Sequence, residues 1–177
     1  KLLKSEFNRN VLTLMTGTTI AQAIPIAVTP ILTRIYTPED FGVFALFIGI
    51  ASIFGTIING RYELAIMLPR KDEDAINIFA LGFIITFVIS LILLILVLVF
   101  NNYFVNLLDN KEIGVWLFFI PITVFLVGLW KLLNCFNIRK KQYKDIAKAT
   151  IIKTIVLSTV QLSIGLIKSG VTGLISG

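Results

Sequence analysis

The sequence predicts an all-α polytopic membrane protein with about five transmembrane helices. Three observations predict it. Apolar residues make up 56% of the 177-residue chain and charged residues only 15%, with a mean hydropathy of +0.92, outside the range of soluble domains. The apolar residues fall in runs of roughly 20, the length a helix needs to cross ~30 Å of hydrocarbon, and not in the stripes of a water-facing helix. The short joints between the runs collect the turn-forming and charged residues. A β-barrel would need alternating segments of ~10 residues, which are missing. Inside hydrocarbon the remaining solution is a helix, whose backbone groups are satisfied within the segment.

The first span covers residues 11–33. Lys1-Leu2-Leu3-Lys4 before it looks like the start of a signal peptide, yet a full-length span follows with no small-residue cleavage site, so it reads as an uncleaved first helix. Pro25 and Pro30 interrupt this span and predict a kink. The second span covers 41–60, or one long tilted helix to 68, because the chain turns apolar again after Arg61-Tyr62-Glu63. Its start is marked by Thr37 as N-cap, Pro38 at the first helical position, and Glu39 and Asp40 in the first turn. The third span, 76–100, carries Thr86 and Ser90 and reads as lipid-facing. The fourth, 113–133, has Trp116 and Trp130 near its ends, about 21 Å apart on a continuous helix, which reads as an aromatic belt. Its Pro121 and Gly128 allow bending or close packing. The fifth covers 147–167. The joints are Tyr36–Asp40, Pro69–Asp74, Asn101-Asn102 and Arg139-Lys140-Lys141. After Ile167, Lys168 to Gly177 reads as a loop and the first residues of a sixth span. The expectation is one transmembrane domain over 1–177, cut from a longer transporter.

Charge sets the expected orientation. With a cytoplasmic N-terminus, the inner segments hold Lys1, Lys4, Arg9, Arg61, Arg70, Lys71, Lys131, Arg139, Lys140, Lys141, Lys144 and Lys148. The outer joints then hold only Arg34, Lys111 and Lys168. Lys153, inside the fifth span, belongs to neither set. The net charge of +6 thus reflects topology; no basic soluble domain is present to bind nucleic acid. The single cysteine, Cys135, excludes an internal disulfide and a cysteine metal cluster. With no histidine, His-based acid/base, Ser-His-Asp and zinc-hydrolase chemistry are closed to this chain, which reads as a non-enzyme without a metal or cofactor.

Polar residues inside the spans are the candidates for function. Thr18, Gln22, Pro25, Thr29 and Thr33 recur at steps of three and four and fall within about 80° of one another on a helix. Two readings stand: threonines bonded to their own backbone, or a bent helix whose polar face lines a wet cavity. In the fifth span Thr150, Thr154, Gln161, Gly165 and Lys168 share a face, with Lys153 and Ser158 at its margins. Charges beside the spans are functional candidates by default. Arg61 and Glu63 are two apart and so point in different directions on a helix. Each has a plainer role open to it, Arg61 as a snorkelling anchor and Glu63 as a cap or solvated acid. Arg34 and Lys153 likewise serve either as interface anchors or as cavity cations.

Two stretches carry a family resemblance: Leu32-Thr33-Arg34-Ile35-Tyr36-Thr37-Pro38-Glu39-Asp40-Phe41-Gly42-Val43-Phe44-Ala45-Leu46 and Arg61-Tyr62-Glu63-Leu64-Ala65-Ile66. The chain resembles the polysaccharide biosynthesis and export flippases, including O-antigen flippases, of the multidrug/oligosaccharidyl-lipid/polysaccharide exporter superfamily. The likeness extends over essentially the whole chain, including the basic elbow Arg139–Lys144. It implies a bundle of 12–14 helices in two pseudo-symmetric lobes, of which five spans would be most of the first. It further implies a protein of the bacterial cytoplasmic membrane that flips an undecaprenyl-pyrophosphate-linked oligosaccharide from the inner to the outer leaflet, for surface polysaccharides such as lipopolysaccharide. Implied partners are that lipid-linked substrate and the bilayer, with polysaccharide polymerase and chain-length proteins beside them. Arg61, Arg34 and Lys153 would meet the pyrophosphate. Gln22, Thr18, Thr29 and Gln161 would meet sugars, and Glu63 would serve ion coupling. A multidrug or metabolite exporter of the same superfamily would favour aromatic and acidic cavity residues. A membrane enzyme of polysaccharide assembly would need larger loops, and a structural subunit of such a complex stays open on composition.

Overall fold

The computed structural model describes residues 2–110, 112–167 and 170–177, with side chains from Asn10 onward. Its helices are α1 (Leu2–Ile35), α2 (Pro38–Ile57), α3 (Tyr62–Ala65), α4 (Asp72–Leu107), α5 (Ile113–Leu117), α6 (Ile120–Arg139), α7 (Tyr143–Ile167) and α8 (Thr172–Ser176). The described residues contain no strand. Five of the helices, α1, α2, α4, α6 and α7, are long and apolar enough to cross a membrane. The chain is thus an all-α polytopic membrane protein. It folds as two compact units, Lys1–Gly42 with Lys140–Gly177, and Val43–Arg139.

In the first unit α1 packs along α7. The contact runs on small residues. A Cβ added at Gly17 would stand 2.6 Å from the Ala147 Cβ, so the two backbones approach as only glycine permits. At the far end Tyr36 lies against Gly165, so the two helices run parallel, as the first and fifth of alternating spans must. Between α1 and α2 the predicted cap is present with its reciprocal bonds. The Asp40 amide donates to Thr37 Oγ1 (3.2 Å), and Asp40 Oδ2 accepts from the Thr37 amide and hydroxyl (3.0 Å each).

The second unit centres on the antiparallel pair α4 and α6. Its contacts run from Ala75 and Leu132, through Gly82 and Leu132, to Ser90, whose hydroxyl donates to the Pro121 carbonyl (2.7 Å). The third span is therefore only partly lipid-facing. Ala75, Gly82, Thr86, Leu93 and Val97 form a buried stripe, while Ile84, Phe87, Val88, Leu91, Ile92 and Ile95 face outward. Thr86, expected at the lipid surface, is fully buried.

Three span boundaries differ from the sequence reading. The second span is not one helix to residue 68: α2 stops at Ile57, and Gly60 and Arg61 follow at φ +55° and +65°. Two left-handed residues in succession cannot continue a right-handed helix. The Asn101-Asn102 joint lies inside α4, which continues to Leu107; the turn falls at Asp109 (φ +47°), and Asn110 Oδ1 caps the amides of Glu112 and Ile113. The fourth span is split. Pro121 has no amide to offer the Leu117 carbonyl, the chain tightens (Phe119 N to Trp116 O, 3.0 Å), and α6 restarts at Ile120. Trp116 and Trp130 thus sit on different helices, and a 21 Å spacing along one axis does not apply. Lys111 and Lys168 lie outside the described residues, as do the side chains of Lys4 and Arg9 and the whole of Lys1.

Candidate functional site

In the first unit the polar stripe of α1 is open. Thr18, Gln22, Pro25, Thr29 and Thr33 are all exposed, while the packing face next to them, Gly17, Ala21 and Leu32, is buried. Each threonine hydroxyl on the stripe donates to its own helix: Thr18 to Leu14 O (2.6 Å), Thr29 to Pro25 O (2.7 Å) and Thr33 to Pro30 O (3.1 Å). Their donors are occupied, so they present acceptor oxygens outward. Gln22 differs. Its amide makes no hydrogen bond among the described residues, and it sits in the middle of a helix of membrane-spanning length. Arg34, at the end of the same helix, is also exposed.

The polar face of the fifth span turns inward instead. Ser158, Gln161 and Gly165 are buried. The Gln161 side-chain amide donates to the Leu174 carbonyl (3.2 Å), and its backbone carbonyl accepts the Tyr36 hydroxyl (2.7 Å). Gln161 therefore ties α7 to α8 and to the α1–α2 joint, a packing position and not an open polar face. Tyr36 is the residue that the sequence reading undervalued. It is 4% exposed, stacks edge-on with Phe41, and fills the space that Gly165 and Gly173 leave for it. Burial, and then the Asp40 carboxylate, push its hydroxyl above the ordinary tyrosine range. Lys153 is exposed on α7.

In the second unit the chain between α2 and α4 forms an elbow around three buried or half-buried polar groups. Asn59, 1% exposed, donates from Nδ2 to the Gly128 carbonyl (3.0 Å), and its Oδ1 lies 2.7 Å from the Thr86 hydroxyl. Lys131 donates to the Gly55 carbonyl at 2.6 Å, capping the C-terminal end of α2 where the helix breaks. Arg139 donates to the carbonyls of Ile66 (3.0 Å), Pro69 (2.8 Å) and Lys71 (3.2 Å) and pairs with Asp72 at 3.2 Å, closing the loop before α4. Sequence counting had treated both cations as topology signals only. For Lys131 a warning existed, since any charge within a span needs a partner.

Arg61 and Glu63 take opposite positions on this elbow. Arg61 is exposed, left-handed, and outside any helix, and its guanidinium has no partner among the described residues. Glu63 is 8% exposed, and its Oε2 is buried without a hydrogen-bond partner.

Five helices long and apolar enough to cross a membrane, with polar residues on exposed and on buried faces, define a multi-pass membrane protein. The sequence model of the family described as polysaccharide biosynthesis protein matches residues 31–177, and the chain belongs to that family. Membership makes it a membrane protein of polysaccharide biosynthesis. No curated protein and no solved structure matches the chain.

Proposed function

We propose that the protein moves a lipid-linked oligosaccharide, carried on undecaprenyl pyrophosphate, from the inner to the outer leaflet of the bacterial cytoplasmic membrane. The observation that carries this reading is the open stripe on α1: outward acceptor oxygens of Thr18 and Thr29 on either side of Gln22, whose amide lacks a partner at mid-span. Such a stripe is costly against lipid and well matched to sugar hydroxyls, which both donate and accept. Arg34 and Lys153 in the first unit and, separately, Arg61 in the second are exposed cations, each of a chemistry that suits a pyrophosphate. The polyprenyl tail stays in lipid beside the helices. Glu63, with a buried oxygen that an incoming ion would complete, is the candidate for ion coupling. No covalent bond is made or broken in this scheme, so the protein acts as a carrier and not an enzyme. The N-terminus and the Arg139–Lys144 elbow face the cytoplasm, as the positive-inside rule requires.

The test is cellular. Deletion of the gene is expected to trap lipid-linked oligosaccharide on the cytoplasmic leaflet and to remove a surface polysaccharide. Intact surface polysaccharide, in a strain with no second copy, would defeat the proposal. Loss of the lipid-linked precursor itself, instead of its accumulation, would point to an enzyme of its synthesis.

A further inference from the structure

A groove of about 300 Å³ opens between α1 and α7 in the first unit, away from the α1 stripe residues Gln22 and Thr29. Its floor is the close crossing of Gly17 and Ala147. Thr13, Thr16 and Ile20 on α1 and Ile151 on α7 also line it, with Lys144 and Lys148, one helical turn apart, at the end nearest the start of α7. Both lysines are exposed, and neither pairs with a carboxylate among the described residues. The Thr16 hydroxyl donates to the Leu12 carbonyl at 2.8 Å, leaving the two ammonium groups as the charged donors of the groove.

We infer that this groove holds one anionic phospholipid, its headgroup phosphate between Lys144 and Lys148 and the start of one acyl chain over Ile20 and Ile151. Three observations select this occupant. The groove is cationic at its end near the start of α7 and otherwise mostly apolar, the polarity order of a phospholipid read from headgroup inward. The lysines follow Tyr143 in the first turns of a spanning helix, the depth at which bilayer phosphates already lie. The volume is at the small end of the ~300–1,000 Å³ usual for ligand sites, enough for a phosphate and a chain segment but not for an oligosaccharide. Basic pockets between spanning helices are a general means of holding such headgroups. The site is independent of what the protein carries, and a bound lipid here would fix the packing of α1 on α7.

Detergent-purified protein titrated with phosphatidylglycerol or phosphatidylcholine, with bound lipid counted by native mass spectrometry, tests the site. Wild type is expected to prefer phosphatidylglycerol. Taking about fivefold per basic residue at a membrane surface, Lys144→Ala with Lys148→Ala should weaken it roughly 30-fold. Lys140→Ala with Lys141→Ala removes the same charge from the neighbouring chain outside the groove and should leave binding within about threefold. Ile20→Trp, at an exposed position, should obstruct the groove with both lysines intact and also lose the lipid. Equal retention of the two phospholipids overturns the inference. So does equal loss in the two lysine pairs, unchanged binding in Ile20→Trp, or retention of a polyprenyl pyrophosphate but not of phosphatidylglycerol.

Discussion

Adding one methyl group at two different glycines of the second unit should have opposite effects on stability. At Gly49 an added Cβ meets nothing within 4 Å, so Gly49→Ala changes only the helix backbone term and should stabilise by about 0.5–1 kcal/mol. At Gly128 the same carbon would lie 2.6 Å from Thr86 Cγ2, 2.7 Å from Asn59 Oδ1 and 3.0 Å from Ile58 Cγ2. Overpacking of that kind costs ~1–3 kcal/mol. Displacing Asn59 also endangers its bonds to Gly128 and Thr86, worth about 0.6 kcal/mol each in a membrane. The backbone gain at Gly128 offsets only part of this, so Gly128→Ala should destabilise by about 1–3 kcal/mol, roughly 2–4 kcal/mol away from Gly49→Ala. The nearest obstacle is a methyl group, and Thr86→Ser deletes that methyl while keeping the hydroxyl. The double variant should therefore recover part of the loss, the Asn59 Oδ1 contact at 2.7 Å remaining. Equilibrium unfolding in mixed detergent and dodecyl sulfate micelles reads all four proteins. Shifts of the same sign at Gly49 and Gly128, or no recovery with Thr86→Ser, would refute the packing argument and the role of Asn59 at the elbow.

Arg139→Lys keeps one charge but loses the fork that reaches three carbonyls at once, and should destabilise by about 1–2 kcal/mol and speed protease cleavage within residues 66–72. Asp72→Asn should cost under about 1 kcal/mol, because that carboxylate is 57% exposed and its ion pair is screened. Tyr36 is held neutral by burial and by Asp40, so its contribution to stability is full below the ordinary tyrosine value and is lost as the pH rises through the raised folded one. Thermal melts above pH 10 should show a decline that Tyr36→Phe abolishes; an unchanged decline would place the titration elsewhere. Arg61→Lys should insert and express normally yet export surface polysaccharide poorly, with Arg61→Ala worse. Wild-type export by both at matched levels would reduce Arg61 to an anchor.

The spanning helices were legible because their signal is additive: twenty apolar residues outweigh any one exception. The Thr37–Asp40 cap was legible because all its parts lie within four residues. What stayed hidden depended on contacts between distant residues or on single backbone angles. Asn59-Gly60-Arg61 breaks α2 although apolar residues flank it on both sides, since hydropathy does not register two positive φ values. Thr86 looked like a stray polar residue on a lipid-facing helix until Asn59, 27 residues earlier, turned out to face it. The α1 stripe and the α7 face gave the same polar periodicity, and the fold separates them: one opens outward, the other closes on Tyr36 and α8.

The same separation sorts the charges. A cation within a membrane span must have its charge answered, and the second unit does so for two of its cations in the same way. Lys131 and Arg139 are committed to backbone carbonyls left over where helices break, so their charge completes the fold. Arg61 stands on the same elbow, between those two clasps in sequence, yet makes no such bond among the described residues. Its left-handed backbone turns the chain there at a local cost that a glycine would avoid. An arginine kept at a strained position with an unoccupied guanidinium is poorly explained by packing. Gly60 next to it already supplies one flexible turn residue, so an Arg61→Gly variant should keep or gain stability. If that variant is as stable as wild type and loses export, the guanidinium is held there for a ligand; if it loses neither, the strain has no function to account for it.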